Sequence, residues 1–220
     1  MEDNGRLYTT VMEKLKFEPR LDVSDILVAI KGKSDIVVLG GTVKSYVEKL
    51  IAENAVKNIP GLKAVADEMK VDSSARYKRS DVDIAAAANN ALKWNVMVPE
   101  DRIKLVVEDG FVTLSGSVEW QHQKYSAHKA VSNLWGVKSI VNNIKITPII
   151  TINSAKVKEQ IIKEFERNAR IDASKVRVEV DGSKIVLRGS LRNLEEVDEA
   201  IDAAWSIPGV SAVKEELEIQ

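Results

Sequence analysis

The apolar positions of this chain change period in a fixed order, and the order occurs three times. A stripe at i, i+4 and i+8 comes first: Leu7, Val11 and Leu15; then Ile84, Ala88 and Leu92; then Val157, Ile161 and Phe165. That spacing predicts an amphipathic helix. Alternating residues follow: Ile26, Val28 and Ile30; Ile103, Leu105 and Val107; Val176, Val178 and Val180. Alternation is the period of a half-buried strand. Asp109-Gly110 and Asp181-Gly182 then mark hairpin turns. The first repeat has the longer Lys31-Gly32-Lys33-Ser34-Asp35 there, which accounts for the two-residue shift of its upstream helix. Second strands are predicted at Val37–Leu39, Val112–Leu114 and Ile185–Leu187.

A glycine follows each second strand, and a further glycine comes 20 residues later: Gly41 and Gly61, Gly116 and Gly136, Gly189 and Gly209. A fixed period of this kind marks a repeat architecture. Between the glycines, Ala52, Ala55, Val56 and Ile59 recur as Ala127, Ala130, Val131 and Leu134, and as Ala200, Ala203, Ala204 and Ile207. These trace one face of a second helix, whose small residues let its axis lie close to a sheet. The second glycine is expected to close that helix at the left-handed C′ position. Asp81 and Ser154 sit where N-caps of the first helices are expected. A third β-segment ends each repeat: Leu62, Val65, Met69 and Val71; Val137, Ile140, Ile144 and Ile146; Val210, Val213, Leu217 and Ile219.

Each repeat therefore reads helix, strand, strand, helix, strand. The fold class is α+β: three tandem αββαβ domains at 1–72, 80–148 and 152–220, each a three-stranded sheet with two helices on one face. The strand–helix–strand connection is expected to be right-handed if it joins parallel neighbours. Sequence leaves open which strand the third one pairs with.

Composition narrows the function classes. The chain is 45% apolar and 30% charged, with a net charge of −1, and the balance gives no reason to expect a nucleic-acid partner. Arg76-Tyr77-Lys78-Arg79 is a local basic cluster, read as a solvated linker. Cysteine is absent, which excludes disulfides and thiolate chemistry. No apolar run has the length of a membrane span. The acidic, polar start, Met1-Glu2-Asp3-Asn4-Gly5, does not resemble a secretory signal, so a cytoplasmic location is expected, or a periplasmic one if a signal has been removed.

The repeat resembles the BON domain, a small αββαβ module of bacterial envelope and stress proteins. Leu114-Ser115-Gly116-Ser117-Val118 and Gly136-Val137-Lys138-Ser139-Ile140-Val141-Asn142-Asn143-Ile144 carry the resemblance best. The outer copies have Asp67-Glu68-Met69 and Glu215-Glu216-Leu217 in place of the asparagine pattern. The order of repeats, with Trp94-Asn95-Val96-Met97-Val98-Pro99-Glu100-Asp101-Arg102-Ile103, is similar to a three-BON subgroup lacking a signal peptide. The resemblance implies a non-enzymatic module that contacts a phospholipid membrane surface or protein partners, often linked to osmotic and envelope stress.

Reactive chemistry has little support in the residues. His122 and His128 are six apart on a predicted helix and point about 120° away from each other, so no metal site is expected. No phosphate-binding loop, nucleophile elbow or zinc-protease pattern occurs, and no cofactor is expected. Trp205 reads as largely core. Differences between the copies single out the middle one. Trp120 stands where the other copies have Ser45 and Asn193, and Trp135 where they have Pro60 and Pro208. Trp120, Tyr125, Trp135, Asn142 and Asn143 form the candidate interaction surface; for Trp120, packing against a neighbouring copy is the competing reading. Two other functions remain open: a self-associating assembly module using free sheet edges, which implies a homo-oligomer, and a small-ligand carrier with a pocket between domains.

Overall fold

The structure, a computed structural model, describes residues 2–32, 35–72, 74, 78–149, 154–167 and 173–220. Lys33-Ser34 of the first hairpin turn and Arg76-Tyr77 of the basic cluster lie outside the described residues. In chain order the first repeat contains α1 (Glu2–Phe17), β1 (Ile26–Lys31), β2 (Ile36–Val43), α2 (Tyr46–Lys57), β3 (Ala64–Asp67) and β4 (Lys70–Val71). The second contains α3 (Asp81–Trp94), β5 (Ile103–Glu108), β6 (Phe111–Val118), α4 (Gln121–Ser132) and β7 (Ser139–Ile146). The third contains α5 (Ser154–Arg167), β8 (Val176–Asp181), β9 (Lys184–Leu191), α6 (Leu194–Trp205) and β10 (Ala212–Ile219). The chain falls into two compact units. One runs up to Val56 and takes in Ala64–Val118 and His122–Lys145; the other joins Lys57–Lys63 and Glu119–Gln121 to Ile146–Gln220.

Each sheet places its second strand in the centre, in the orders β1-β2-β3, β5-β6-β7 and β8-β9-β10, with β4 continuing the third strand along β2. The first two strands of each sheet are an antiparallel hairpin, and in the first and third sheets the third strand lies parallel to the second. This answers the pairing that sequence left open. The register is constant: Ala64 faces Ile36 and Ala212 faces Lys184, a separation of 28 residues in both copies. In the middle copy Lys138 N–H donates to Gly110 O across the same separation.

The cores form from the residues the two periods mark out. In the third copy Ile161 and Phe165 of α5 pack with Val178, Ile185 and Leu187 of the sheet and with Ala200 and Ala204 of α6. Their counterparts Ala88, Leu92, Val112, Leu114, Ala127 and Val131 are equally buried in the middle copy, as are Val11, Leu15, Val37, Leu39, Ala52 and Val56 in the first. Both helices thus cover one face of each sheet; the other face carries the more exposed side chains, although Val38 of the first sheet is buried there. Trp205 is only half-buried, at the margin of its core.

Two local expectations change. The second glycine is not at the helix C′ position: the helices end at Lys57, Ser132 and Trp205, four residues earlier. A separate turn follows, closed by Leu62 N–H to Ile59 O, Val137 N–H to Leu134 O and Val210 N–H to Ile207 O. Gly61, at φ 78°, is the third residue of its turn, after Pro60. Proline followed by a positive-φ glycine is the type II pattern. The N-cap of α3 is Ser80, whose hydroxyl accepts the Asp83 N–H, rather than Asp81. The Asp81 carboxylate instead accepts the N–H groups of Asp109 (2.8 Å) and Gly110 (2.9 Å), tying the hairpin tip to the helix start. Asp81 could not serve both purposes, and Ser80 takes the cap.

Candidate functional site

In the first and third copies the second helix is capped by one device. Ser45 Oγ accepts Glu48 N–H (3.3 Å), and Asn193 Oδ1 accepts Glu196 N–H (2.9 Å). Each glutamate reaches back, to Lys44 N–H and to Arg192 N–H, both at 2.9 Å. This resembles the capping box. Trp120 occupies the equivalent place before α4 and has no side-chain oxygen to accept a helix N–H. It is half-buried, and it lies in the segment Glu119–Gln121 that clusters with the second unit. It is thus less open than a free contact residue.

Trp135 takes the proline's corner in the turn after α4 and stands half exposed. Tyr125 is exposed on α4, with the Lys129 ammonium 6.0 Å from its ring centroid. Asn142 is occupied structurally: its Nδ2 donates to Lys124 O (3.1 Å) and its Oδ1 accepts Ile144 N–H (3.2 Å). It therefore straps β7 to α4, one residue from Tyr125. Asn143 faces the open side of the sheet, exposed.

A sharper surface lies where sequence reasoning did not place one. Trp94 ends α3 and is 87% exposed; Val96 is 96% exposed and Met97 is also exposed. The loop is held from beneath. Asn95 N–H donates to Leu92 O, the Asn95 side chain accepts Met97 N–H (3.0 Å), Val98 N–H donates to Asn95 O (2.9 Å), and Val98 is buried. With Asn95 turned back and Val98 anchored, Val96 and Met97 between them are turned to solvent, next to Trp94 at the exposed end of α3. Lys93 precedes them, and Glu100, Asp101 and Arg102 follow after Pro99; these charged residues are all exposed. Counting from the buried Leu15 and Leu92, Phe17 of the first copy matches Trp94 and is also almost fully exposed. The third copy has Arg167 there, paired with Glu164 at 2.9 Å. The sequence signal was present: Trp94, Val96 and Met97 fit neither the helix nor the strand period on either side.

The two repeats of the first unit meet where the Tyr46 ring sits edge-on to His128, 6.2 Å between centroids. Burial lowers the His128 pKa below its ordinary 6.5. The same burial, with Glu53 and Asp67 nearby, raises that of Tyr46. His128 is thus a packing residue. Among the described residues no group of three His, Asp or Glu side chains is placed to hold a metal ion. A cleft beside the start of α3 brings Lys78, Arg79 and Lys138 together with Asp72, Asp81 and Asp109, with neither sign prevailing.

The BON domain profile matches residues 3–73, 80–148 and 153–220, nearly the whole chain. The chain belongs to the BON domain family. A BON-containing stretch of 147 residues is 28% identical to osmotically-inducible protein Y of Escherichia coli (strain K12), covering 65% of this chain and 72% of that protein. Two solved structures of CdsD, a structural protein of the type III secretion system of Chlamydia trachomatis, are similar at 15% identity. They cover 98% and 97% of this chain, and this chain covers 92% and 97% of theirs, with TM-scores of 0.27 and 0.26. At such scores the superposition carries no argument about this BON protein.

Proposed function

We propose that this BON protein is a stress-associated, non-catalytic binding protein that docks on phospholipid membrane surfaces through the loop following α3. One observation carries the reading: Trp94, Val96 and Met97 are presented together to solvent by a loop whose own hydrogen bonds hold them there. Leaving three apolar side chains in water forfeits the stabilisation that burial gives. Tryptophan prefers the membrane–water boundary, where the ring meets acyl chain and the indole N–H stays solvated. Lys93, next to Trp94, suits anionic headgroups. The osmotically-inducible relative supports the stress association.

Flotation with vesicles of anionic and of zwitterionic phospholipid, at moderate salt, tests the reading. The native chain is expected to float with anionic vesicles, and Trp94→Ser with Val96→Asn to bind at least about tenfold more weakly. No flotation at any lipid composition would sink it, as would a double variant that floats like the native chain.

A further inference from the structure

We infer that the outer edge of β5 is a self-pairing edge, by which a second copy of this chain adds its own β5 antiparallel about a two-fold axis through Val106. β5 ends its sheet, and among the described residues no strand pairs with its far side. It is also the least protected of the three first strands. Ile103, Leu105 and Val107, although they point to the core face, remain partly exposed, and Val106 on the open face is 53% exposed. The corresponding Val176 and Val178 of β8 are buried. An open apolar edge is a template for another strand.

The hydrogen-bond geometry fixes which groups are offered. Glu108 and Phe111 flank the two-residue turn Asp109-Gly110 and close the hairpin. Alternation then directs the backbone groups of Lys104, Val106 and Glu108 toward β6, and those of Leu105 and Val107 toward the open edge. Two strands related by a two-fold at Val106 set Leu105 against Val107 of the second copy as a hydrogen-bonded pair. Val106 meets Val106 of the second copy in the closer, non-bonded spacing between them.

Charge selects the same register. The open-face residues of β5 read Lys104, Val106, Glu108. Reversal about Val106 brings each Lys104 opposite Glu108 of the second copy, so one strand is complementary to itself, as an isologous contact demands. β1 lacks this, with Leu27, Ala29 and Lys31 on that face and no acidic partner. β8 has matching end charges, Arg177 and Asp181, but its centre is Glu179, held by Arg188 at 3.1 Å, and a two-fold there would set Glu179 against Glu179 where β5 sets valine against valine.

Sedimentation equilibrium and light scattering of the full chain from about 10 μM to about 1 mM test the inference, with circular dichroism confirming that each variant is folded. A monomer–dimer equilibrium is expected for the native chain, with amide exchange at Leu105 and Val107 slowing as concentration rises. Val106→Lys places two ammonium groups face to face and should leave a monomer throughout. Lys104→Glu and Glu108→Lys should each weaken the dimer about tenfold, since each turns two attractive pairs repulsive, and the two together should restore it. Arg177→Glu on β8 should change nothing. A native chain that stays monomeric across the range overturns the inference. So does a dimer indifferent to Val106→Lys, or a double charge reversal that fails to restore association.

Discussion

On the open face of the third sheet, Arg188 lies between Glu216 at 2.6 Å and Glu179 at 3.1 Å, and Lys214 reaches the other side of Glu216 at 2.6 Å. The matching places on the middle sheet hold Ser115, Asn143, Val106 and Val141. One face is a charged lattice well suited to water; the other has lost every member of it. Beneath both, the central core positions are buried alike: Val112, Leu114, Ala127 and Val131 against Ile185, Leu187, Ala200 and Ala204. The same contrast recurs at the helix cap, Asn193 against Trp120, and at the turn corner, Pro208 against Trp135. The copies share the central core positions and differ most at the surface, so function is to be sought in what the middle copy exposes.

The largest expected effect tests the shared part of that comparison. A Cβ on Gly116 would stand 2.0 Å from Arg102 O, and one on Gly189 1.9 Å from Lys175 O, both at positive φ. Gly116→Ala and Gly189→Ala should each cost about 3 kcal/mol or more. Gly61→Ala, with nothing within 4 Å of the added carbon, should cost only the left-handed strain, about 1–2 kcal/mol. Urea midpoints with unchanged slopes check this. If Gly116 tolerates alanine while Gly189 does not, the cores are not equivalent.

A middle-sized effect is expected at the caps. Asn193→Ala should cost about 1 kcal/mol. Trp120→Asn gives α4 the missing acceptor and should recover stability of that order, less whatever packing the half-buried indole provides. A melt that falls for Trp120→Asn by more than for Asn193→Ala would show that Trp120 is chiefly a packing residue.

The smallest effect depends on pH. His128 is held below 6.5 by burial, and its counterpart in the third copy is Ile201. As pH falls below 6.5 the unfolded chain takes up a proton before the folded one does, so stability declines over that range and is greatest above it. His128→Gln should flatten the stability profile between about pH 7 and about pH 5. An unchanged slope would mean that His128 is solvated in the folded protein.

The fold was legible because its two periods are unbroken: Ile84, Ala88 and Leu92 can only be a helix stripe, and Val176, Val178 and Val180 only a strand face. Strand order was not, since the pairing partner of the third strand depends on how α2, α4 and α6 cross the sheet. The second glycines misled for a definite reason. A positive-φ glycine ends a helix and fills a type II turn equally well, and only Pro60 and Pro208 beside it tell the two apart. At the candidate site, replacing a cap or a proline with tryptophan flagged Trp120 and Trp135. It could not reveal that Asn142 is committed to Lys124 O. Trp94 stood out less because its place varies in every copy, Phe17, Trp94 and Arg167, and Val96 and Met97 beyond it lie in a loop outside both periods.

The constant separation of 28 residues between paired second and third strands behaves as a ruler. Everything between those strands, the α2-type helix and its following turn, has a counted length; one residue more or less would slide the third strand and turn its core side outward. The hairpin tip is outside that count, and it already varies in length between the first copy and the others. Grafted loops, labels or binding peptides therefore belong in the first copy's turn at 32–35, which already carries two extra residues, and not at Asp109-Gly110 or Gly182-Ser183, where Gly110 O and Ser183 O accept N–H groups from the start of the third strand segment.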